Sequence, residues 1–256
     1  MNQKVRKILI IILTMISIGC AIYLVWHFFG VEKSKDTYQE MLEEVVQEEE
    51  EVSEEAEEVE IPIDFEKLWK QNEDVYAWIQ IPGTHVDFPV LQHPSDDEYY
   101  LYYNIDKQWD AAVGAIFSQG SYNAKDFSDF NTILYGHRMG VENPLMFYDL
   151  RLYWDDDYMD EHRDIFIYTP TNIYHYKVFA AVVSDNRHHM VYYDEFKDDE
   201  DKQAYLDYLW NTRDMRNQYR DDVEVTVDDR ILTLSTCIRW EKTNRLLIGA
   251  VLVDEK

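Results

Sequence analysis

Between Ile8 and Gly30 the chain carries no Asp, Glu, Lys or Arg, and a helix over that run is long enough to cross the ~30 Å hydrocarbon core of a bilayer. The run exceeds the roughly 7–15 apolar residues of a cleaved secretory signal and lacks a small-residue cleavage site, so it reads as a retained anchor. Lys4, Arg6 and Lys7 precede it, and basic residues beside a span stay on the cytoplasmic side. The expected layout is a cytoplasmic basic end at 1–7, a single membrane helix at 8–30 and an extracellular remainder.

Positions 39–60 hold twelve Glu and no Lys or Arg. Such self-repelling, apolar-poor sequence favours an extended or transiently helical spacer, and residues 31–60 read as an acidic stalk. A helical signal over 38–46 leaves an interaction helix as the minority reading. The net charge is −27 and the part beyond the stalk is itself acidic. A nucleic-acid surface, which needs clustered Lys and Arg to displace counterions, is excluded, and neutral or cationic substrates are favoured.

Residues 61–256 read as one folded domain. It opens on a short amphipathic helix at 64–72, with Asp64 as N-cap and Phe65, Leu68 and Trp69 at helical spacing. Short segments rich in β-branched and aromatic residues follow at 76–80, 86–91, 115–117, 132–135, 165–168, 174–183, 224–227, 231–236 and 245–253, punctuated by turn signals such as Pro82-Gly83. Many short strands without regularly alternating helices predict a mostly β fold, a closed or nearly closed antiparallel-rich barrel. One added helix is expected near 197–213, with Ala204, Tyr205, Tyr208 and Leu209 on one face.

The chain has two cysteines. Cys20 lies in the apolar run, so Cys237 is a free thiol in the exported domain. It ends the alternating segment Arg230-Ile-Leu-Thr-Leu-Ser-Thr-Cys237, which places a thiol at a strand terminus. A buried packing cysteine is the alternative. A cysteine nucleophile needs an acid–base partner and an oxyanion donor brought from elsewhere in the chain. Of the eight histidines, His137 is the best candidate, closing the strand-like Thr132-Ile-Leu-Tyr-Gly-His137; the glycine before it permits close approach by another backbone. Arg245 opens the last strand, and a hairpin return from Cys237 sets its guanidinium beside the thiol. Arg239, in the intervening loop, competes for that role.

Thr233-Leu-Ser-Thr-Cys237, the upstream Tyr135-Gly-His137 and the downstream Arg245 leading a terminal apolar strand resemble, in that order, the sortases. The resemblance covers roughly 61–253. Trp78-Ile-Gln-Ile-Pro-Gly-Thr84, Asp87-Phe-Pro-Val90 and the helix before the final strands are similar to class B members in particular. A pilus-building class would carry a lid ahead of the barrel, and none is visible. The loop after Cys237 is shorter than in some class B relatives, so its substrate contacts do not carry over.

The resemblance implies a sortase-like closed barrel of about eight strands and a membrane-anchored cysteine transpeptidase. Cys237 would attack a Thr carbonyl in the C-terminal sorting signal of an exported protein, with His137 as acid and base and Arg245 as oxyanion donor. Ser235 and Thr236 would line the substrate groove, and a lipid-linked peptidoglycan-precursor amine would resolve the thioester, with no cofactor or metal. The rivals are a pilin-polymerising sortase, a hydrolytic cysteine peptidase, although a papain-type site expects Cys before His, and a non-catalytic adhesin. A metal site is the weakest reading, resting on His188 and His189 and on the acidic runs at 155–157 and 198–201, none with zinc or calcium spacing.

Overall fold

The computed structural model of the protein describes residues 3–46, 61–140, 144–187 and 196–256, with backbone alone at 26–31. The β-rich segments form strands β1 (Val75–Gln80), β2 (Asp87–Leu91), β3 (Ile116–Phe117), β4 (Asn131–Tyr135), β5 (Arg138–Met139), β6 (Leu145–Met146), β7 (Asp164–Tyr168), β8 (Ile173–Asp185), β9 (Gln218–Tyr219), β10 (Ile231–Ile238) and β11 (Glu241–Glu255). The main sheet runs β11-β10-β4-β3-β2-β1-β7-β8-β9, and a further pairing of β11 with β8 closes eight of its strands into a barrel. Closure leaves those strands without free edges. Two neighbouring pairs, β2–β3 and β4–β10, are parallel. Parallel neighbours need long crossovers, and the long segment between β4 and β10 is one of them.

Alternation along the central strands sorts their side chains to two cores. Leu232, Leu234, Leu246 and Ile248 join the barrel interior with Trp78, whose indole N–H donates to Asp87 at 2.6 Å. Ile231, Leu247 and Val251 face outward with Phe179 and Val182. A helix covers that outer face, Asp199–Asn211, here α5. Two apolar faces explain why these strands read as nearly continuous apolar runs. Tyr205, Leu206 and Leu209 are its buried residues. Ala204 is exposed and Leu206 takes its expected place, because the stripe follows the 3.6-residue turn.

The helix at Phe65–Gln71 (α2) is capped as expected, Asp64 Oδ1 accepting from the Lys67 amide at 2.9 Å. Three short helical pieces were not legible: α3 (Tyr99–Tyr102), a 3₁₀ helix (Tyr148–Trp154) and α4 (Asp156–Glu161). The acidic run at 155–157 begins α4, with Asp155 as its N-cap accepting from the Tyr158 amide, and Asp198 caps α5 likewise. The strand expected at 224–227 does not form. Val223, Val225 and Val227 pack beside α5 instead, in a turn held by Thr226 donating to Asp229.

Helix α1 runs from Gln3 to Val45. Its first part is long and apolar enough to cross a membrane and buries nothing against the domain. Its last turns do: Ser34, Tyr38, Met41 and Val45 are buried at the spacing of one helical face, and Val46 bridges to Ile63. Residues 31–45 of the expected stalk are therefore helix, with one face docked on the barrel, while 47–60 lie outside the described residues.

Candidate active site

Strand register brings the three sequence-selected residues to one edge. On one side, β10 pairs with β4 in parallel, Ser235 opposite Tyr135, and the ladder continues one step further where the Gly136 amide donates to the Ser235 carbonyl at 3.2 Å. His137 therefore leaves β4 beside the end of β10. On the other side, β10 pairs antiparallel with β11, and Cys237 is directly opposite Arg245, so their side chains share a face. That is the face α5 covers lower down, where Tyr205 and Thr233 hydroxyls hydrogen-bond at 2.6 Å. Beyond the end of α5 the same face opens as a cleft of about 310 Å³, lined among others by Ser235, Cys237, Tyr135, His137 and Arg245.

Cys237 is exposed, which removes the packing-cysteine reading. His137 is held from behind: its Nε2 lies 2.7 Å from the Leu101 carbonyl oxygen. If that nitrogen carries the proton, Leu101 accepts it and Nδ1 is left for chemistry. The platform continues inward. Gly114, at φ +57, leaves room such that a Cβ there would meet the Tyr100 carbonyl oxygen at 2.6 Å and His137 Cδ2 at 3.1 Å. The Gly114 carbonyl accepts from the buried Tyr38 hydroxyl at 3.0 Å, so the docked end of α1 reaches the layer directly behind the histidine.

Gly136 serves a different purpose from the one expected. What approaches it is the ring of Phe147, not a backbone, with Cδ2 only 2.7 Å from where a Cβ would stand. Thr236, although it borders the cleft, is buried and donates to the Gly136 carbonyl at 2.8 Å. Its hydroxyl ties β10 to the histidine loop. Arg245 folds back on the start of β11, donating to the Lys242 and Asn244 carbonyls at 3.3 and 3.0 Å. Arg239 does not line the cleft with it. Sequence reasoning missed Glu98 and Tyr122 on the cleft wall and the Leu101 carbonyl; a backbone acceptor leaves no residue-type signal. His188 and His189 lie outside the described residues, and among those described no His, Cys, Asp and Glu side chains gather as a metal site.

Residues 79–253 match the family model of the sortase domain. The chain belongs to the sortase family. Sortase B of Listeria monocytogenes is 34% identical over 199 residues, covering 77% of this chain and 76% of the relative. The solved Staphylococcus aureus sortase B–substrate complex is similar with a TM-score of 0.63 and 33% identity, over 74% of this sortase and 84% of that chain. A sortase B structure complexed with triglycine aligns with a TM-score of 0.60 and 32% identity, over 74% of this sortase and 85% of that chain. The eight-stranded closed barrel is that of these class B structures, and sortase membership carries with it the cysteine transpeptidase class.

Proposed function

We propose that this sortase is an anchored transpeptidase that joins exported proteins to a peptidoglycan-precursor amine. The observation that carries the reading is the β4–β10–β11 register, which sets His137, Cys237 and Arg245 around one cleft. Cys237 Sγ attacks the Thr carbonyl of a C-terminal sorting signal, Arg245 and nearby backbone amides hold the oxyanion, and the C–N bond breaks as His137 protonates the departing amine. The thioester on Cys237 is then attacked by the acceptor amine, whose proton returns to His137, and the thiol is restored. Ser235 and Thr236 belong to the groove, Thr236 from beneath. The substrate and triglycine complexes of class B relatives support a peptide donor and an amine acceptor.

The span at 8–30 anchors the enzyme, residues 1–7 remain cytoplasmic, and the domain at 61–256 faces outward, with the acidic segment 31–60, whose first part is the docked end of α1, between. That placement meets both exported proteins and lipid-linked precursors. Full-length enzyme in detergent, given sorting-signal peptides and triglycine, is expected to yield the peptide–triglycine transfer product by mass spectrometry. Hydrolysis alone would leave the peptidase reading, and no cleavage of any peptide would return the adhesin reading.

A further inference from the structure

Among the described residues the arginines fall into two groups. Arg163, Arg187, Arg216, Arg220 and Arg230 each pair with at least one carboxylate. That is the ordinary outcome in a chain with 51 acidic and 24 basic residues. Arg6, beside the apolar run, and Arg138, Arg151, Arg213, Arg239 and Arg245 form no ion pair with a described carboxylate. Four of these six stand on elements around the candidate site, although only Arg245 lines the cleft itself. Arg138 follows His137 on β5; Arg239 stands two residues beyond Cys237, on the β10–β11 turn; Arg245 faces Cys237 across the hairpin. Arg151 lies on the 3₁₀ helix packed against both β5 and β11.

The approach of Arg138, Arg151 and Arg239, on elements that pack together, is unfavourable without a counter-charge. Burial, then the proximity of Arg151 and Arg239, pushes the Arg138 guanidinium below its ordinary range, while Cys237 is near enough to act in the opposite sense. Aromatic faces hold two of them in place: Arg151 lies 4.5 Å from the Tyr148 ring centroid and Arg239 4.9 Å from that of Trp240. Stacking fixes a guanidinium plane while leaving its N–H groups free to donate. Ionic screening acts over ~8 Å at physiological salt, so an anion at this spot feels the cluster more than the distant acidic surface.

We propose that Arg138, Arg151 and Arg239 form an anion subsite beside the nucleophile that takes a phosphate or diphosphate group of the acceptor substrate. Planar guanidinium forks match tetrahedral oxyanions bidentately, and a lipid-linked precursor carries such a group on the same molecule as its amine. The subsite would hold the acceptor while its amine reaches the thioester. Its use in catalysis rests on the transpeptidase reading; the existence of the site does not.

The test is binding of inorganic pyrophosphate to the full-length enzyme in detergent by calorimetry, with the tricarboxylate tricarballylate as a charge-matched control. Pyrophosphate is expected to bind, more tightly than tricarballylate. Arg151→Gln and Arg239→Gln are each expected to weaken it about tenfold, the size of one charged hydrogen bond lost. Arg213→Gln, equally unpaired but outside the cluster, is expected to leave the affinity unchanged. Absence of pyrophosphate binding, equal binding of tricarballylate, or equal loss in Arg213→Gln overturns the proposal. These binding outcomes are read without turnover, so failure of the transpeptidase reading appears separately as absent transfer to triglycine.

Discussion

The two sides of the cleft are built by different means. Cys237 and Arg245 are placed by a continuous ladder, β4–β10–β11, in which each residue's position follows from its neighbours' register. His137 leaves that ladder and is oriented by a loop layer, residues 99–114, through the Leu101 carbonyl, with Gly114 behind it and Tyr38 of α1 behind that. Local β-sheet hydrogen bonding secures Cys237, whereas long-range packing secures His137. Damage to the ladder side should therefore abolish chemistry at the thiol, and damage to the loop side should misalign the histidine while leaving the thiol intact.

The largest expected effect is Cys237→Ala, which reduces transfer and acyl-enzyme formation to background in a mass-spectrometric assay. Arg245→Ala comes next, with kcat/KM lower by ~10²–10³, the usual loss for an oxyanion donor. Its melting temperature is expected to stay near wild type, since its hydrogen bonds go only to the nearby Lys242 and Asn244 carbonyls, neither of them fully buried; normal turnover would remove Arg245 from the mechanism.

Gly114→Ala crosses to the loop side. Strain at φ +57 and the clash with the Tyr100 carbonyl cost about 1–3 kcal/mol. Thermal unfolding is expected to move down by several degrees, with kcat reduced and the alkylation rate of Cys237 by iodoacetamide unchanged. Tyr38→Phe is a gentler form of the same experiment. It leaves the buried Gly114 carbonyl without its donor, about 1 kcal/mol, and kcat is expected to fall a few-fold. If either variant slows alkylation as much as it slows kcat, the two sides are not separable.

The smallest effect belongs to the start of β11, just past the hairpin turn, where Arg216 pairs with Asp214 and Glu241, and Glu241 accepts from Asn244. Bonding to Arg216 holds both carboxyls below their ordinary range. Their stabilisation is fully present above the unfolded carboxylate value of ~4 and is lost as pH falls from there through their lowered folded values. Glu241→Gln is expected to cost under about 1 kcal/mol at neutral pH and to flatten part of the acid-side loss in a pH–stability titration.

The same contrast governs what could be read from sequence. Cys237, His137 and Arg245 were legible because each sits where an apolar alternation stops or starts, and register does the rest. The Asp64 cap and the barrel strands have equally local signals. The histidine platform has none: α3 is a single turn in a tyrosine-rich run, and the Leu101 acceptor is backbone. The glutamate-rich sequence left the docked end of α1 as only the minority reading over 38–46, because its Ser34, Tyr38, Met41 and Val45 face shows fully only once a surface is there to cover it. Val225 and Val227 carried strand propensity, but α5 offered them a packing partner outside the sheet, and burial outweighed propensity.

The most direct test is the intact mass of full-length enzyme mixed with an intact sorting-signal peptide and no added amine, followed by peptide mapping. The account predicts a mass increase equal to the acyl fragment ending in Thr, located on Cys237 and released by triglycine. Cleavage with no adduct on Cys237, or an adduct on any other residue, would contradict it.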